Sequence, residues 1–258
     1  MSFLHPLPIL ARRAAAVVLC AGFTVLASTG TALAHAYPKT SDPPSNARLD
    51  IPPTHIAITY DSAIDARGTS VLLMDSSGAT VAAAHDTVDG NTRSSISPTT
   101  DLASGPYTVA WTSLSAEDGH AAQGFYTFVV NGGTVGILSG TAQAQTAAAD
   151  LQASLTVTAA DDGGSLLRVD LNNSTGVERV RIRLSRPELG DDLLDTRPSG
   201  DGGWVLSNNE IALPGAWHAV VIVRRTNIFD DAAAAFDFTV DAASGAPAFT
   251  SAVSEPAN

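Results

Sequence analysis

Three residues of this chain, His35, Asp118 and His120, have the types and the spacing to hold a metal ion. His35 follows Ala32-Leu33-Ala34, a small-x-small pattern of the kind signal peptidases cut. Cleavage there makes histidine the first residue of the mature chain. An N-terminal histidine offers its α-amine and its imidazole Nδ1 to one ion in a single chelate ring. Such groups ordinarily titrate near ~8 and ~6.5, so both release protons readily to a metal at neutral pH. Nitrogen donors of this kind favour Cu(II), at the top of the divalent affinity order. The segment "SAEDGHAAQGFYTF" (115–128) carries Asp118 and His120 on either side of Gly119. A separation of two in an extended segment puts both side chains on one side, and glycine lets the backbone bend close to an ion. Two imidazoles, one amine and one carboxylate suit a square-planar or tetragonal Cu(II) site.

The chelate exists only if the first 34 residues are removed. Arg12 and Arg13 form a positive n-region, and Ala14 to Leu26 is an apolar stretch too short for a convincing membrane span. Residues 1–34 therefore read as a secretory signal peptide, and the product is expected in the periplasm or elsewhere outside the cytoplasm. Cys20, the only cysteine, lies inside the signal, so the mature chain has no disulfide and no thiolate metal site. Arg12 and Arg13 leave with the signal and no acid does, taking the formal net charge from −12 to −14. So acidic a chain is a poor partner for nucleic acid or an anionic membrane surface and is compatible with cations. No second apolar run reaches membrane length.

The elements that must position the donors read as strands. "HIAITYDSAI" (55–64) alternates Ile56, Ile58 and Tyr60 with other residues, and "SGPYTVAWTSLS" (104–115) alternates Tyr107, Val109 and Trp111. With "GTSVLLMDSSG", "ATVAAAHDTVDGN" and "GFYTFVVNGG" they predict an all-β sandwich or barrel over residues 35–131. Residues 132–150, rich in Gly, Ala, Thr and Gln, read as a linker. A second strand series over 151–242 predicts another β-sandwich, immunoglobulin-like, and 243–258 reads as a disordered tail. His55, His85 and His218 are expected to be ordinary surface or sheet residues.

Residues 35–131 resemble the CopC family of exported copper-binding proteins. The resemblance rests on "HAYPKTSDPPSNARL", on "ITYDSAI" and above all on "YTVAWTSLSAEDGHAAQGFYTFVV". The family pattern there is W-x-x-x-S-x-D-G-H-x-x-x-G-x-x-x-F-x-V. Trp111, Ser115, Asp118, Gly119, His120, Gly124, Phe128 and Val130 fit it, with one extra residue before Asp118. The resemblance implies a Greek-key β-barrel or sandwich and a Cu(II) site built from His35, Asp118 and His120. Many members read F-S-E-P-V where this chain has Tyr60-Asp61-Ser62-Ala63-Ile64. The acid of that stretch is replaced by Ser62 or supplied by Asp61. Some members also carry a Met-rich Cu(I) site; the mature chain keeps only Met74, so no site of that type is expected.

The segment "LPGAWHAVVIVRRTNIFDDAAAAFDFTV" (213–240) resembles the FixH- or YtkA-like β-domain at the end of some CopC–CopD fusions. Their multi-helix membrane domain is missing here, which implies a separate CopD-like membrane transporter as partner. Arg224-Arg225 and Asp230-Asp231 read as a local salt-bridge cluster or a docking surface. The leading function is Cu(II) sequestration or delivery in copper homeostasis, without enzymatic activity. One alternative is an oxidative enzyme with a histidine brace, like the polysaccharide monooxygenases. Against it stand the low aromatic content of 6% and a carboxylate that favours Cu(II) over redox cycling. A metal-free structural module is the other alternative, and it leaves the coincidence of His35 with Asp118 and His120 unexplained.

Overall fold

Period-two alternation becomes strand almost wherever it occurs. The computed structural model describes residues 36–84, 87–88, 92–98, 101–130, 137–146, 151–161 and 163–255. The first half contains β1 (Pro38–Asp42), β2 (Ala47–Leu49), β3 (Ile56–Tyr60), β4 (Ser70–Met74) and β5 (Thr80–Ala84). It continues with β6 (Thr87–Val88), β7 (Arg93–Ile96), β8 (Gly105–Leu114) and β9 (Ala121–Val130). Two open sheets result, β1-β3-β7-β6 and β2-β9-β8-β4-β5, so the architecture is a sandwich and not a closed barrel. The pairing of β2 with β9 is parallel. Alternate residues of β3, β4, β8 and β9 meet between the sheets: Ile56, Ile58, Leu73, Val109, Trp111 and Phe128. Tyr60 and Trp111 make an edge contact at 6.4 Å and Tyr107 stacks on Phe128 at 5.5 Å.

The second half holds β10 (Thr141–Gln145), β11 (Ala153–Ala159), β12 (Ser165–Leu171), β13 (Val177–Arg186) and β14 (Gly190–Asp195). It closes with β15 (Arg197–Pro198), β16 (Trp204–Asn208), β17 (Gly215–Arg225), β18 (Ala232–Val240) and β19 (Pro247–Glu255). Its sheets run β10-β11-β12-β16-β15 and β14-β13-β17-β18-β19. Two boundaries differ from expectation. The supposed linker contains β10, which pairs with β11 from Thr141↔Thr158 to Gln145↔Ser154. The supposed tail contains β19, paired along β18, with Phe249 seated against Phe236 and Phe238. β10 is made of Ala, Thr and Gln, and β19 mainly of Ala, Ser and Thr. Small side chains bury little, so their hydrophobic pattern is faint, while the backbone ladder still forms.

The two halves are not separate bodies: residues 35–258 cluster as one compact unit. The cause lies in β8 and β9, which are buried on both faces. Tyr107, Val109 and Trp111 fill the first core, while Ala110 and Phe125 point the other way into the core of the second half. Phe125 meets the Trp217 ring at 5.8 Å. Burying such a ring is worth about 1.5–3 kcal/mol. The backbones also touch. A Cβ on Gly124 would lie 2.6 Å from the Trp111 ring and 2.8 Å from the Asp191 carbonyl oxygen, so glycine is what permits the approach. No helix of the described residues is long and apolar enough to cross a membrane.

Candidate metal centre

The turn between β8 and β9 is built by its own side chains. Ser115 is buried, and its Oγ accepts the N–H groups of Glu117 at 3.2 Å and Asp118 at 3.3 Å. Gly119 N–H donates to the Ser115 carbonyl at 3.0 Å, and Ser115 N–H to the His120 carbonyl at 2.9 Å. Gly119 has φ +73°, the left-handed region that glycine enters at little cost. Asp118 Oδ1 then accepts the His120 N–H at 3.1 Å. The expected extended segment is thus a tight turn. The two side chains still meet, because the carboxylate folds over its own backbone and not because of strand alternation.

His120 Nδ1 lies 3.1 Å from Asp118 Oδ2. That geometry allows two coordination modes. Nδ1 and Oδ2 can take adjacent positions on one ion, or Asp118 can hold an Nδ1 proton and leave Nε2 to the metal, a common way to fix a ligating imidazole. The His120 N–H, and next the Ser115 hydroxyl, pull the Asp118 carboxyl down to about 2. It is therefore an anion at any physiological pH, as a cation ligand must be.

The chain entering this region is anchored at two points. Ala36 is buried, and its carbonyl accepts from Ser113 Oγ at 2.5 Å. Tyr37 N–H donates to Asp61 Oδ1 at 2.9 Å, and Asp61 N–H returns a bond to the Tyr37 carbonyl at 3.0 Å. The same 61–65 loop grips the 115–120 turn: Ala116 N–H donates to the Ala63 carbonyl at 2.9 Å and Ile64 bridges Ser115. Tyr37, two residues after His35, and the Asp118–His120 turn therefore hang on one short loop. Asp61 spends one carboxylate oxygen on Tyr37. Ser62 Oγ is buried and makes no hydrogen bond.

His35 itself lies outside the described residues, as does His85. Among the described residues, no group of three or more His, Cys, Asp or Glu side chains converges in a metal-holding cluster. His55 Nε2 sits 3.3 Å from Asp42 Oδ2 on the surface. His218 stands in β17 with Nδ1 2.7 Å from Asp237 Oδ1. Arg224 pairs with Asp231 at 2.8 Å, a local salt bridge. Sequence reasoning missed the anchor Ser113 altogether. A serine two residues before Ser115 carries no local signal; its role appears only when residue 36 packs against it.

The family model for the CopC domain matches residues 38–131. No curated protein sequence matches the chain. Among solved structures, CopC from Methylosinus trichosporium OB3b is 24% identical over 38% of this chain and 94% of its own, with a TM-score of 0.35. PcoC, a methionine-rich copper resistance protein from Escherichia coli, is 28% identical over 38% of this chain and 99% of its own, with a TM-score of 0.34. Residues 38–131 are a CopC domain.

Proposed function

We propose that the mature protein binds one Cu(II) ion through the α-amine and Nδ1 of His35 together with His120 and Asp118. On this reading it serves copper resistance outside the cytoplasm, by sequestering the ion or passing it to a CopD-like membrane transporter. The observation that carries the proposal is the shared anchoring. Ala36 and Tyr37 are tied to Ser113 and Asp61, and the Asp118–His120 turn is tied to Ala63 and Ile64. Peptide geometry keeps the Cα of His35 about 3.8 Å from that of Ala36, so the anchors limit how far the chelate can stray from the turn.

The chemistry is chelation without turnover. The amine and imidazole lose their protons to the ion, and the anionic Asp118 offsets part of its charge. The test is N-terminal sequencing of the exported protein followed by Cu(II) titration with electron paramagnetic resonance. The expected result is a chain that starts at His35 and binds one ion with nitrogen hyperfine coupling. A start elsewhere with equally tight binding would overturn the chelate.

A further inference from the structure

Glu210 is the most deeply buried carboxyl among the described residues, with no exposed surface, and it sits where the two halves meet. From the first half, Ser45 Oγ at 3.1 Å and Asn46 Nδ2 at 3.0 Å both donate to its Oε1. Asn46 is held with φ +62°, and its N–H donates to the Thr127 carbonyl in β9. Its side-chain oxygen accepts the Asn209 N–H at 2.7 Å. The joint is therefore a polar knot across sequence separations of more than 160 residues.

Glu210 Oε2 is buried beside the buried Thr127 Oγ1, a hydroxyl that can accept from an acid or donate to a carboxylate. An ionised carboxylate there would be a charge with no exposed surface, held by the neutral donors of Ser45 and Asn46 and disfavoured by its burial. A carboxylic acid fits instead, with Oε1 as the carbonyl that accepts two bonds and Oε2–H as a donor facing Thr127. The charged neighbours agree. Asp192 of β14, half-buried, adds like charge, and Arg48 of β2 gives Nη2 to Asn209 Oδ1 at 3.0 Å. Burial first, and Asp192 second, raise the Glu210 carboxyl well above the ordinary range.

We propose that Glu210 joins the two halves as a neutral carboxylic acid and that its ionisation loosens the joint, making the contact between the CopC domain and the second half pH-operated. The sign follows from linkage. Below the ordinary glutamate range the folded and unfolded chains both hold the proton. Above it only the folded chain does, so stability is lost as pH rises toward the raised folded value. This inference does not depend on copper.

The test compares the mature wild-type protein with Glu210→Gln, whose amide can donate where the acid does and cannot ionise. Melting temperature and the exchange protection of the Asn209 amide, which bonds across the joint, are followed from pH 5 to pH 8. Both are expected to fall by pH 8 in the wild type, by several degrees and at least tenfold; in the variant they should fall less and stay level above pH 6, where Asp192 has already ionised. An equal fall in both proteins overturns the proposal. So does a rise in melting temperature on adding calcium at pH 8 in the wild type alone, which would make the joint a cation site. If Glu210→Gln does not fold, Asp192→Asn decides. An infrared carbonyl band of a protonated carboxyl at pH 7 is expected in that variant, and its absence overturns the proposal.

Discussion

The turn at 115–120 and the joint around Glu210 use the same functional group in opposite ways. Asp118 is held open to solvent and made acidic by donors from its own turn, with the His120 N–H the largest influence. Glu210 is shut away from water and Asp192 is half-buried, and burial drives both upward, Asp192 to about 6. One carboxyl is kept as a charge, and the other two are pushed toward neutrality. Burial and donor count set the role, not residue type.

The largest effect should come from the metal end of this comparison. Leaving one extra residue before His35 removes the amine from the chelate and is expected to weaken Cu(II) binding by roughly 100-fold, about 2.8 kcal/mol. His120→Ala should cost a similar factor, and His55→Ala, on its surface pair with Asp42, almost nothing; competitive titration against a chelator of known affinity separates them. Equal losses at His55 and His120 would sink the ligand assignment.

Gly124→Ala strikes the contact between the halves. Its new Cβ meets the Trp111 ring and the Asp191 carbonyl, and neither can move freely. A loss of about 1–3 kcal/mol is expected, read as a lower denaturant midpoint. Asp61→Ala removes the acceptor of the Tyr37 N–H without touching a proposed ligand. It should weaken Cu(II) binding by ~10-fold through lost positioning while the denaturant midpoint moves little. A variant with native affinity would show that Ser113 alone suffices to place the chain.

Legibility in the sequence followed range. The β3 and β8 strands announce themselves through Ile56-x-Ile58-x-Tyr60 and Tyr107-x-Val109-x-Trp111, because large side chains of period two fill one face. Asp118 and His120 are only two residues apart in the chain, so their meeting could be anticipated even though the extended geometry assumed for them is a turn. The second face of β8 and β9 was not readable: Ala110 and Phe125 look like ordinary strand residues until a partner half covers them. Ser45, Asn46 and Glu210 carry no local signal either, since their bonds join distant stretches of chain. β10 and β19 carry little pattern because the Ala, Thr and Gln of the one and the Ala, Ser and Thr of the other bury too little apolar surface to mark a period.

The smallest expected effect tests the open end of the comparison by pH. Asp118 titrates near 3.8 in an unstructured chain and near 2 in this turn. Its contribution to stability is therefore complete above 3.8 and is lost as pH falls through about 2. Asp118→Asn keeps an oxygen for the His120 N–H but carries no charge. In metal-free protein, the gap in melting temperature between wild type and Asp118→Asn should be greatest at pH 5 and shrink toward pH 2. Asp192 moves in the reverse sense, since its folded value of about 6 means stability falls as pH rises from 3.8 to 6. Asp192→Asn should flatten that limb and leave the acid one intact. A pH-independent gap for Asp118→Asn would mean that the turn holds its carboxylate by shape alone, and the contrast between an open charged carboxyl and a buried neutral one would lose its first half.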